Sequence, residues 1–288
     1  MRIDIHACVG HWPFRQLRGN TCEGLLARMD KHGVDKCVIA NINGVFYKNT
    51  QPANEELFRA IKPYRHRFIP FAVINPTYAD WEHDLDVCRG GLEMSGVRLY
   101  PQYHDYEVTH PACIELVNAA REYKMAVAFS LRLVDGRQRS WLDVDRQLSL
   151  DDIASVVDKA PQARFIVLHA LIGREKPATV TTLERADLVF DTIYGSGCGV
   201  AGPVAYDLAA AIRKYGKNRF AFGTAAPFRD YVSPFLRIEV MKEADDDTKR
   251  LIWAGNAQRI LGIGRQGLAE ALVETRDGGH GDNRSPEG

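Results

Sequence analysis

The sequence predicts a single α/β domain of the (β/α)8 TIM-barrel class, and three observations support this prediction. Eight apolar segments of strand length alternate with amphipathic segments of helix length. Strands that recur between helices favour a parallel sheet, and eight repeats favour a closed barrel over an open sheet. The chain has 288 residues and is 45% hydrophobic, which suits one barrel of this class.

In chain order, the predicted strands span residues 2–8, 36–42, 68–76, 96–101, 125–133, 165–171, 186–194 and 219–225. The predicted helices between them include "TCEGLLARMDKHG", "ANEELFRAIKPYRHR", "HPACIELVNAAREYK" and "SLDDIASVVDKAP". Each has apolar residues at i, i+3 and i+4 and ends near Gly, Pro or a basic residue. We expect the barrel to occupy residues 1–266, and residues 267–288, which are rich in Gly and charge, to form a partly disordered tail.

Side-chain alternation indicates which strand faces point into the barrel. The fifth strand carries Ala126, Ala128, Ser130 and Arg132 on one face, and larger apolar residues on the other. The eighth strand likewise carries Ala221, Gly223 and Ala225 opposite two phenylalanines and a threonine. Since a barrel interior has limited room, we expect the small faces to point inward.

Composition excludes several function classes. Lys and Arg together number 37, as do Asp and Glu, and this balance argues against a general nucleic-acid or membrane-surface binder. The sequence shows no signal peptide and no apolar stretch of the roughly 20 residues that span a bilayer, which predicts a cytoplasmic protein. The six cysteines, at positions 8, 22, 37, 88, 113 and 198, form no CxxC pair and are expected to be reduced thiols.

Functional residues of such a barrel lie at the carboxyl ends of its strands. That rule selects His6, Cys8, Asn41, Asn75, Arg98, Tyr100, Ser130, Arg132, His169, Asp191 and Ala225. The segment "DIHACVGHWPF" places His6 and Cys8 two residues apart, where side chains share one face of a strand.

The order of five segments resembles the amidohydrolase-related (amidohydrolase 2) branch of the metal-dependent amidohydrolase superfamily. These segments are "DIHACVG", "GVRLYP", "FIVLHA", "FGTAAPF" and "AGNAQRILGI", and the resemblance covers about residues 2 to 263. The branch includes decarboxylases that act on aminocarboxymuconate semialdehyde and on hydroxybenzoates. The resemblance implies a (β/α)8 barrel, one divalent metal, usually zinc, and hydrolysis or non-oxidative decarboxylation.

The metal ligands that the resemblance implies are only partly present. It implies His-x-His on the first strand, a histidine on the fifth, a histidine on the sixth and an aspartate on the eighth. His6 and His169 match this pattern, whereas Cys8, Ser130 and Ala225 depart from it. No inward carboxylate that could deprotonate a water near these ligands is evident from the sequence.

Two interpretations of the remaining ligands stay open. In one, His6, Cys8 and His169 hold a zinc ion, since zinc accepts mixed nitrogen and thiolate ligands. In the other, no metal is bound, Cys8 is a small buried thiol, and the two histidines are hydrogen-bonded within the mouth of the barrel.

The other polar residues at the strand ends indicate an anionic small-molecule substrate. Arg98 and Arg132 are predicted to bind a carboxylate or phosphate through their forked guanidinium groups. The alternative is that these arginines form structural ion pairs with Asp4, Asp135 or Asp191. We expect His11, Trp12, Tyr100 and Ser130 to line the same pocket.

Two functions from different classes follow. The first is a divergent hydrolase, or a decarboxylase-like lyase, acting on a small carboxylated molecule with His6 and His169 as catalytic residues. His104 is the candidate general acid or base, because imidazole titrates near neutral pH. The second is a non-catalytic protein that binds a small molecule or a partner. The absence of a carboxylate at Ala225 favours this second function. A homo-oligomer is compatible with the sequence, which does not fix the oligomeric state.

Overall fold

A computed structural model of the chain describes residues 1–173, 175–193 and 208–263. Eight parallel strands form one sheet in the order β1 to β8, which confirms the predicted (β/α)8 barrel. The strands are β1 (Ile3–Val9), β2 (Lys36–Asn41), β3 (Phe68–Val73), β4 (Gly96–Leu99), β5 (Ala126–Ser130), β6 (Arg164–Leu168), β7 (Asp187–Asp191) and β8 (Phe220–Ala221).

Backbone hydrogen bonds between the first and last strands close the sheet. The N–H of Ile5 donates to the carbonyl of Phe222, and the N–H of Cys8 donates to the carbonyl of Ala226, both at 2.8 Å. A further bridge joins Ala7 to Ala226. The carboxyl ends of all eight strands therefore meet around one mouth, where the selected polar residues lie.

Helices separate the strands, as predicted. The described helices are α1 (Cys22–His32), α2 (Gln51–Ile61), α3 (Trp81–Gly90), α4 (Pro101–His104), α5 (Pro111–Glu122), α6 (Leu150–Lys159), α7 (Pro177–Arg185), α8 (Leu208–Tyr215), α9 (Val232–Glu239), α10 (Asp246–Arg250) and α11 (Asn256–Leu261). The four quoted helical segments correspond to α1, α2, α5 and α6. Thr21 caps α1, and Ser149 with Asp152 forms a capping box at α6.

The sheet divides the core into two clusters, and this division confirms the predicted strand faces. Ala126, Ala128 and Ala221 belong to an inner cluster built from alternate residues of the strands. Phe129 and Phe222 belong to an outer cluster that includes the apolar faces of the helices. The small faces therefore point inward.

A β-bulge in β1 changes the alternation of its side chains. Asp4 pairs with Cys37 and Ala7 pairs with Ile39, so β1 has one more residue than β2 over this interval. As a result Ile5 and Cys8 both belong to the inner cluster, although they are three residues apart. Bulges re-aim side chains in this way next to active sites, and His6 lies at the bulge.

Seven of the eight strands, β2 to β8, end one to four residues earlier than predicted, and the reasons are clearest for β3 and β8. β3 stops at Val73 because the following Asn75 and Pro76 form a turn, where proline has no N–H for a ladder. β8 contains only Phe220 and Ala221. Beyond it, Ala225 adopts the left-handed backbone conformation with φ of 53°, which is incompatible with a continuing strand.

Three sequence predictions concern residues that the structure does not describe. The barrel boundary at residue 266, the tail over 267–288 and Cys198 lie outside the described residues. The other five cysteines are buried and free of disulfide bonds. Within the described ranges, no helix combines the length and apolarity needed to cross a membrane.

Candidate active site

The centre of the barrel mouth holds a histidine–carboxylate pair. The Nδ1 atom of His6 lies 2.5 Å from the Oδ2 atom of Asp191 at the end of β7. Both side chains are buried, with exposed fractions of 3% and 0%. Burial raises the pKa of Asp191 and lowers the pKa of His6 well below its usual value. The imidazole is therefore neutral at physiological pH. Its single ring proton lies on Nδ1, which donates it to the carboxylate of Asp191, and Nε2 keeps a lone pair.

His169 completes a compact group around this pair. Its backbone N–H donates to both carboxylate oxygens of Asp191 at 3.2 Å. Its ring meets the ring of His6 edge to face, with 4.6 Å between centroids. His169 follows β6 with φ of 58°, so a strained left-handed conformation interrupts the strand alternation at this residue. Strain of this kind is common where a side chain is held for function.

The ring nitrogens of His169 have different environments. Nδ1 lies 2.8 Å from the carbonyl oxygen of Arg132, an acceptor, so we place the proton on Nδ1. Nε2 is buried without a hydrogen-bond partner among the described residues. Burial, together with the neighbouring His6, lowers the pKa of His169 well below its usual value. Nε2 of His169 carries no proton in this tautomer and is therefore a hydrogen-bond acceptor.

Gly223 makes room for the pair of His6 and Asp191. A Cβ atom at this position would lie 2.9 Å from the Cβ of Asp191 and 3.1 Å from the Cβ of His6. The Cβ atoms of Asp191 and His6 are bonded directly to the backbone and cannot move away easily. Position 223 therefore has no space for a side chain. The glycine is a packing requirement of the site.

Arg98 lies beside this group, and its guanidinium joins three strands. Nε and Nη2 donate to the hydroxyl oxygen of Ser130 at 3.2 and 3.1 Å, and Nη1 donates to the carbonyl of Ala7 at 3.0 Å. The side chain is 2% exposed. These acceptors are neutral, so the buried positive charge remains available to a nearby anion. Arg98 also helps to lower the pKa of His6.

Arg132 and His169 line the same cleft of about 220 Å³ between the loops that follow β5 and β6. Arg132 is 9% exposed. Side chains of Arg132 and His169 therefore border one space that opens at the barrel mouth. The predicted role of Arg132 in binding an anion stays a prediction.

A second buried carboxylate, Asp4, lies on the helix side of β1. It accepts hydrogen bonds from the N–H of His6 at 2.9 Å, the hydroxyl of Thr224 at 2.6 Å and the hydroxyl of Tyr231 at 3.1 Å. Burial raises its pKa to about 6. These contacts tie β1 to the segment after β8 and to α9, so Asp4 supports the backbone of His6.

The predicted zinc ligands fit a metal ion only in part. His6 and His169 each offer Nε2 while their other nitrogen is held by an acceptor, a pattern typical of metal-binding histidines. Cys8, however, directs its thiol to the carbonyl of Ala226 at 3.6 Å, and burial raises its pKa to about 12, which disfavours the thiolate. Among the described residues, no three His, Cys, Asp or Glu side chains are grouped as metal ligands. The set therefore does not form a complete site as it stands.

The structure places the other predicted site residues around the mouth, at different depths. Trp12 is buried and contacts the rings of Phe14, Phe46, Tyr103 and Phe228. Tyr100 is buried, with its ring centroid 5.5 Å from the guanidinium carbon of Arg98, whereas His11 is exposed. The hydroxyl of Ser130 is engaged by Arg98.

His104 does not lie against His6 or His169. The helical turn α4 carries it toward the segment after β2, where its Nε2 lies 3.0 Å from the carbonyl of Gly44. Burial lowers its pKa. Within the described part of the chain, no hydrogen bond or ring contact joins His104 to His6 or His169.

The expectation that no inward carboxylate lies near the histidines is wrong. Asp191 supplies one, directly against His6. The sequence placed Asp191 at a strand end but suggested only an ion pair with an arginine. The inward register of β7, with Val189 in the inner cluster two residues earlier, was the signal that could have identified it.

Comparisons with known proteins agree with this architecture. The model of the family described as Amidohydrolase matches residues 35–263. No curated protein matches the sequence. The 5-carboxyvanillate decarboxylase of Sphingomonas paucimobilis has a similar structure, with a TM-score of 0.68, 15% identity, and coverage of 91% of this chain and 99% of that one.

Two further solved structures show the same likeness. A 2,6-dihydroxybenzoate decarboxylase from Rhizobium has a TM-score of 0.68 and 14% identity, and the match covers 91% of this chain and 98% of that one. A dihydroxybenzoic acid decarboxylase from a Polaromonas species, with bound manganese and the inhibitor 2-nitroresorcinol, has a TM-score of 0.68 and 15% identity, with coverage of 94% and 98%. At these identities the likeness establishes the fold.

Proposed function

The chain belongs to the amidohydrolase family, and from this premise we propose that it hydrolyses a small carboxylated molecule with His6 as the general base. One observation carries the proposal: the buried contact of 2.5 Å between His6 Nδ1 and Asp191. A carboxylate that fixes the tautomer and orientation of an imidazole leaves the opposite nitrogen ready to accept a proton. The lowered pKa of His6 keeps that nitrogen unprotonated at neutral pH.

The proposed reaction is a water attack on a carbonyl carbon. His6 Nε2 accepts a proton from water as the water oxygen forms a bond to that carbon. Asp191 stabilises the imidazolium that results. The imidazolium then returns the proton to the leaving group as the bond between carbon and leaving group breaks, so the base is regenerated. General acid–base assistance of this kind contributes about 10²–10⁴-fold to a rate.

Two arginines support an anionic substrate in this scheme. Arg132 lines the cleft that contains His169 and is the proposed ligand of a substrate carboxylate. Arg98, fixed by Ser130 and Ala7, contributes positive potential beside the reacting group. His169 contributes a hydrogen-bond acceptor at Nε2 that orients the substrate.

Decarboxylation is the second candidate, favoured by the solved structures that share the fold, which include decarboxylases of dihydroxybenzoates and 5-carboxyvanillate. In that reaction the bond between the ring and the carboxylate breaks, its electron pair stays on the ring carbon, and an acid protonates that carbon. Burial keeps His6 unprotonated at neutral pH, so it holds no proton to give to a ring carbon at the start of that reaction, whereas in hydrolysis it first takes its proton from water. Hydrolysis therefore fits the geometry better.

The test is a turnover screen of purified protein. The panel contains aryl esters and lactones that carry a free carboxylate, together with dihydroxybenzoates, and products and carbon dioxide are both measured. Ester or lactone hydrolysis that falls at least about 10²-fold in His6→Gln supports the proposal. The matched control is His66→Gln, since His66 is exposed in the turn before β3, at the amino ends of the strands, and should retain the activity.

Other outcomes separate the alternatives. Release of carbon dioxide without hydrolysis would establish the decarboxylase. A protein that binds the panel acids and turns over none of them would be the non-catalytic binder. Equal hydrolysis by His6→Gln and the unchanged protein would remove His6 from the mechanism.

A further inference from the structure

Helix α9 presents an apolar stripe to solvent. Val232, Leu236 and Val240 follow one another at intervals of four residues, so they lie on one side of the helix. Their exposed fractions are 39%, 49% and 68%. Single exposed apolar residues are ordinary on protein surfaces, whereas a continuous row on one helix face is typical of a surface that binds another protein.

The other side of α9 is fixed to the barrel. Ile238 is buried, and the ring of Phe235 lies 5.2 Å from the ring of Trp253. Glu239 forms an ion pair with Arg2, at the start of β1, with 3.0 Å between the charged atoms. The stripe is therefore held in place before a partner arrives, and its ordering costs little free energy on binding.

Opposite charges lie at the two ends of the stripe. Asp230 precedes α9 and Lys242 follows Val240 by two residues, and both side chains are exposed. Asp230 accepts a hydrogen bond from the N–H of Val232 at 3.3 Å. Among the residues that the structure describes, neither Asp230 nor Lys242 forms an ion pair. Both charges are thus available to groups outside the chain.

The stripe is complementary to itself about Leu236. When two copies of α9 lie antiparallel with Leu236 at the centre, Val232 of each copy faces Val240 of the other, because both are four residues from the centre. Asp230 of each copy then faces Lys242 of the other, because both are six residues away. A two-fold axis requires a match of this kind, since each copy presents the same surface to the other.

We propose that a second copy of this chain binds the stripe, so that two antiparallel α9 helices form a two-fold symmetric dimer with Leu236 on the axis. Apolar side chains then form the centre of the interface and charged pairs form its rim, as in other protein interfaces. A parallel arrangement is disfavoured, because it brings the two copies of Asp230 together. One helix face is smaller than the roughly 800 Å² per partner of a standard interface, so we expect a weak dimer with a Kd of about 1–100 µM.

The dimer places the second copy beside the barrel mouth. Asp230 and Ser233 line a cavity of about 300 Å³, which is bounded by the loops after β1, β5 and β8. Lys242 of the second copy, paired with Asp230, then lies at the edge of this cavity. None of the residues of the stripe takes part in the proposed reaction, so the dimer and the reaction can be tested separately.

The first test is sedimentation equilibrium of the full chain at concentrations from about 10-fold below to about 10-fold above the expected Kd range. The weight-average mass should rise from 32.3 kDa toward twice that value as the concentration increases. Leu236→Lys brings two like charges together on the axis and should weaken association at least about 10-fold. Leu142→Lys is the matched control, because Leu142 is 64% exposed on the loop after β5 and should leave the dimer unchanged.

The second test uses charge reversal to identify the partner as another copy of the same chain. Asp230→Lys or Lys242→Asp alone should weaken association about 3- to 30-fold, because each change turns both ion pairs of the dimer into like-charge pairs. The double variant should restore association, because it re-forms both pairs with the signs exchanged. Thermal unfolding of each variant verifies that the fold persists.

Four results would overturn the proposal. The first is a mass of one chain at every concentration, which would leave the stripe to a different protein or to solvent. The second is a mass that continues to rise beyond two chains, because a two-fold interface is closed. The third is association that survives in folded Leu236→Lys. The fourth is equal association by the unchanged protein and both single charge variants.

Discussion

His6 and Asp191 are 185 residues apart in the sequence, yet their side chains meet at 2.5 Å in the barrel mouth. The contact joins the first strand to the seventh, and only closure of the barrel brings them together. Everything proposed for the chemistry of this protein depends on that contact, so it is the first to test.

Replacing the carboxylate of this pair should reduce catalysis without unfolding the protein. We expect Asp191→Asn to lower kcat by about 10²–10⁴-fold, because an amide no longer enforces the tautomer of His6 or stabilises its protonated form. Asp187→Asn is the matched control, since Asp187 starts the same strand and pairs with Arg259 at the surface. Retained activity in folded Asp191→Asn would show that the pair is structural.

A methyl group at Gly223 should disturb both members of the pair. Gly223→Ala is expected to lower the free energy of unfolding by about 1–3 kcal/mol, the usual cost of overpacking, and to reduce activity as well. The measurement is urea denaturation alongside the turnover assay. Gly90→Ala provides the comparison, because a Cβ there meets nothing within 4 Å, and its stability should be unchanged or higher by up to about 1 kcal/mol. Equal stability of the two variants would contradict the packing described here.

The two arginines should respond differently to substitution. Arg98→Lys loses most of the hydrogen bonds to Ser130 and Ala7, so it should destabilise the fold by at least about 2 kcal/mol. The exposed Arg89→Lys serves as its control.

Arg132→Leu should fold normally but lose the stabilisation that a bound acid provides. In the unchanged protein, benzoate should raise Tm by mass action, since it binds only the native state. The shift should vanish in Arg132→Leu. An equal shift in the variant would assign Arg132 a structural role, the alternative that the sequence left open.

The incomplete set of metal ligands, His6, Cys8 and His169, leads to a prediction about metal content. Protein purified without chelator should carry well below one equivalent of zinc or manganese by elemental analysis, because Cys8 is a protonated thiol engaged with a carbonyl. Cys8→Ser should then leave the metal content unchanged. Near-stoichiometric zinc that is released by Cys8→Ser or His169→Ala would instead support the three-ligand zinc site, one of the two interpretations that the sequence left open.

The barrel could be predicted from the sequence because its signals are local. Alternating apolar segments identified all eight strands, and the small face of Ala126 and Ala128 identified the interior. Strand ends were less accurate, since β8 stops at Ala221 and Ala225 adopts the left-handed backbone conformation. No pattern in the amino-acid sequence predicts this change in backbone conformation.

The site was only partly predictable, because its geometry depends on distant residues and on irregular backbone. His6, His169 and Arg132 were identified from their strand ends. The bulge at His6 and the left-handed φ of His169 decide where the rings point, and neither follows from local propensity. His104 was selected because imidazole titrates near neutral pH, whereas the turn of α4 takes its ring to Gly44.

The ring cluster around Trp12 also supplies an optical probe of the barrel mouth. Indole emission depends on the polarity and motion of its surroundings, and Trp12 contacts Phe228, which lines a cavity of about 300 Å³ at this mouth. Trp81 and Trp253 are buried at other places in the barrel, whereas Trp141 is 85% exposed and emits as a solvated indole. With Trp141→Phe as the parent protein, ligand entry can be followed by a change in fluorescence without any attached dye.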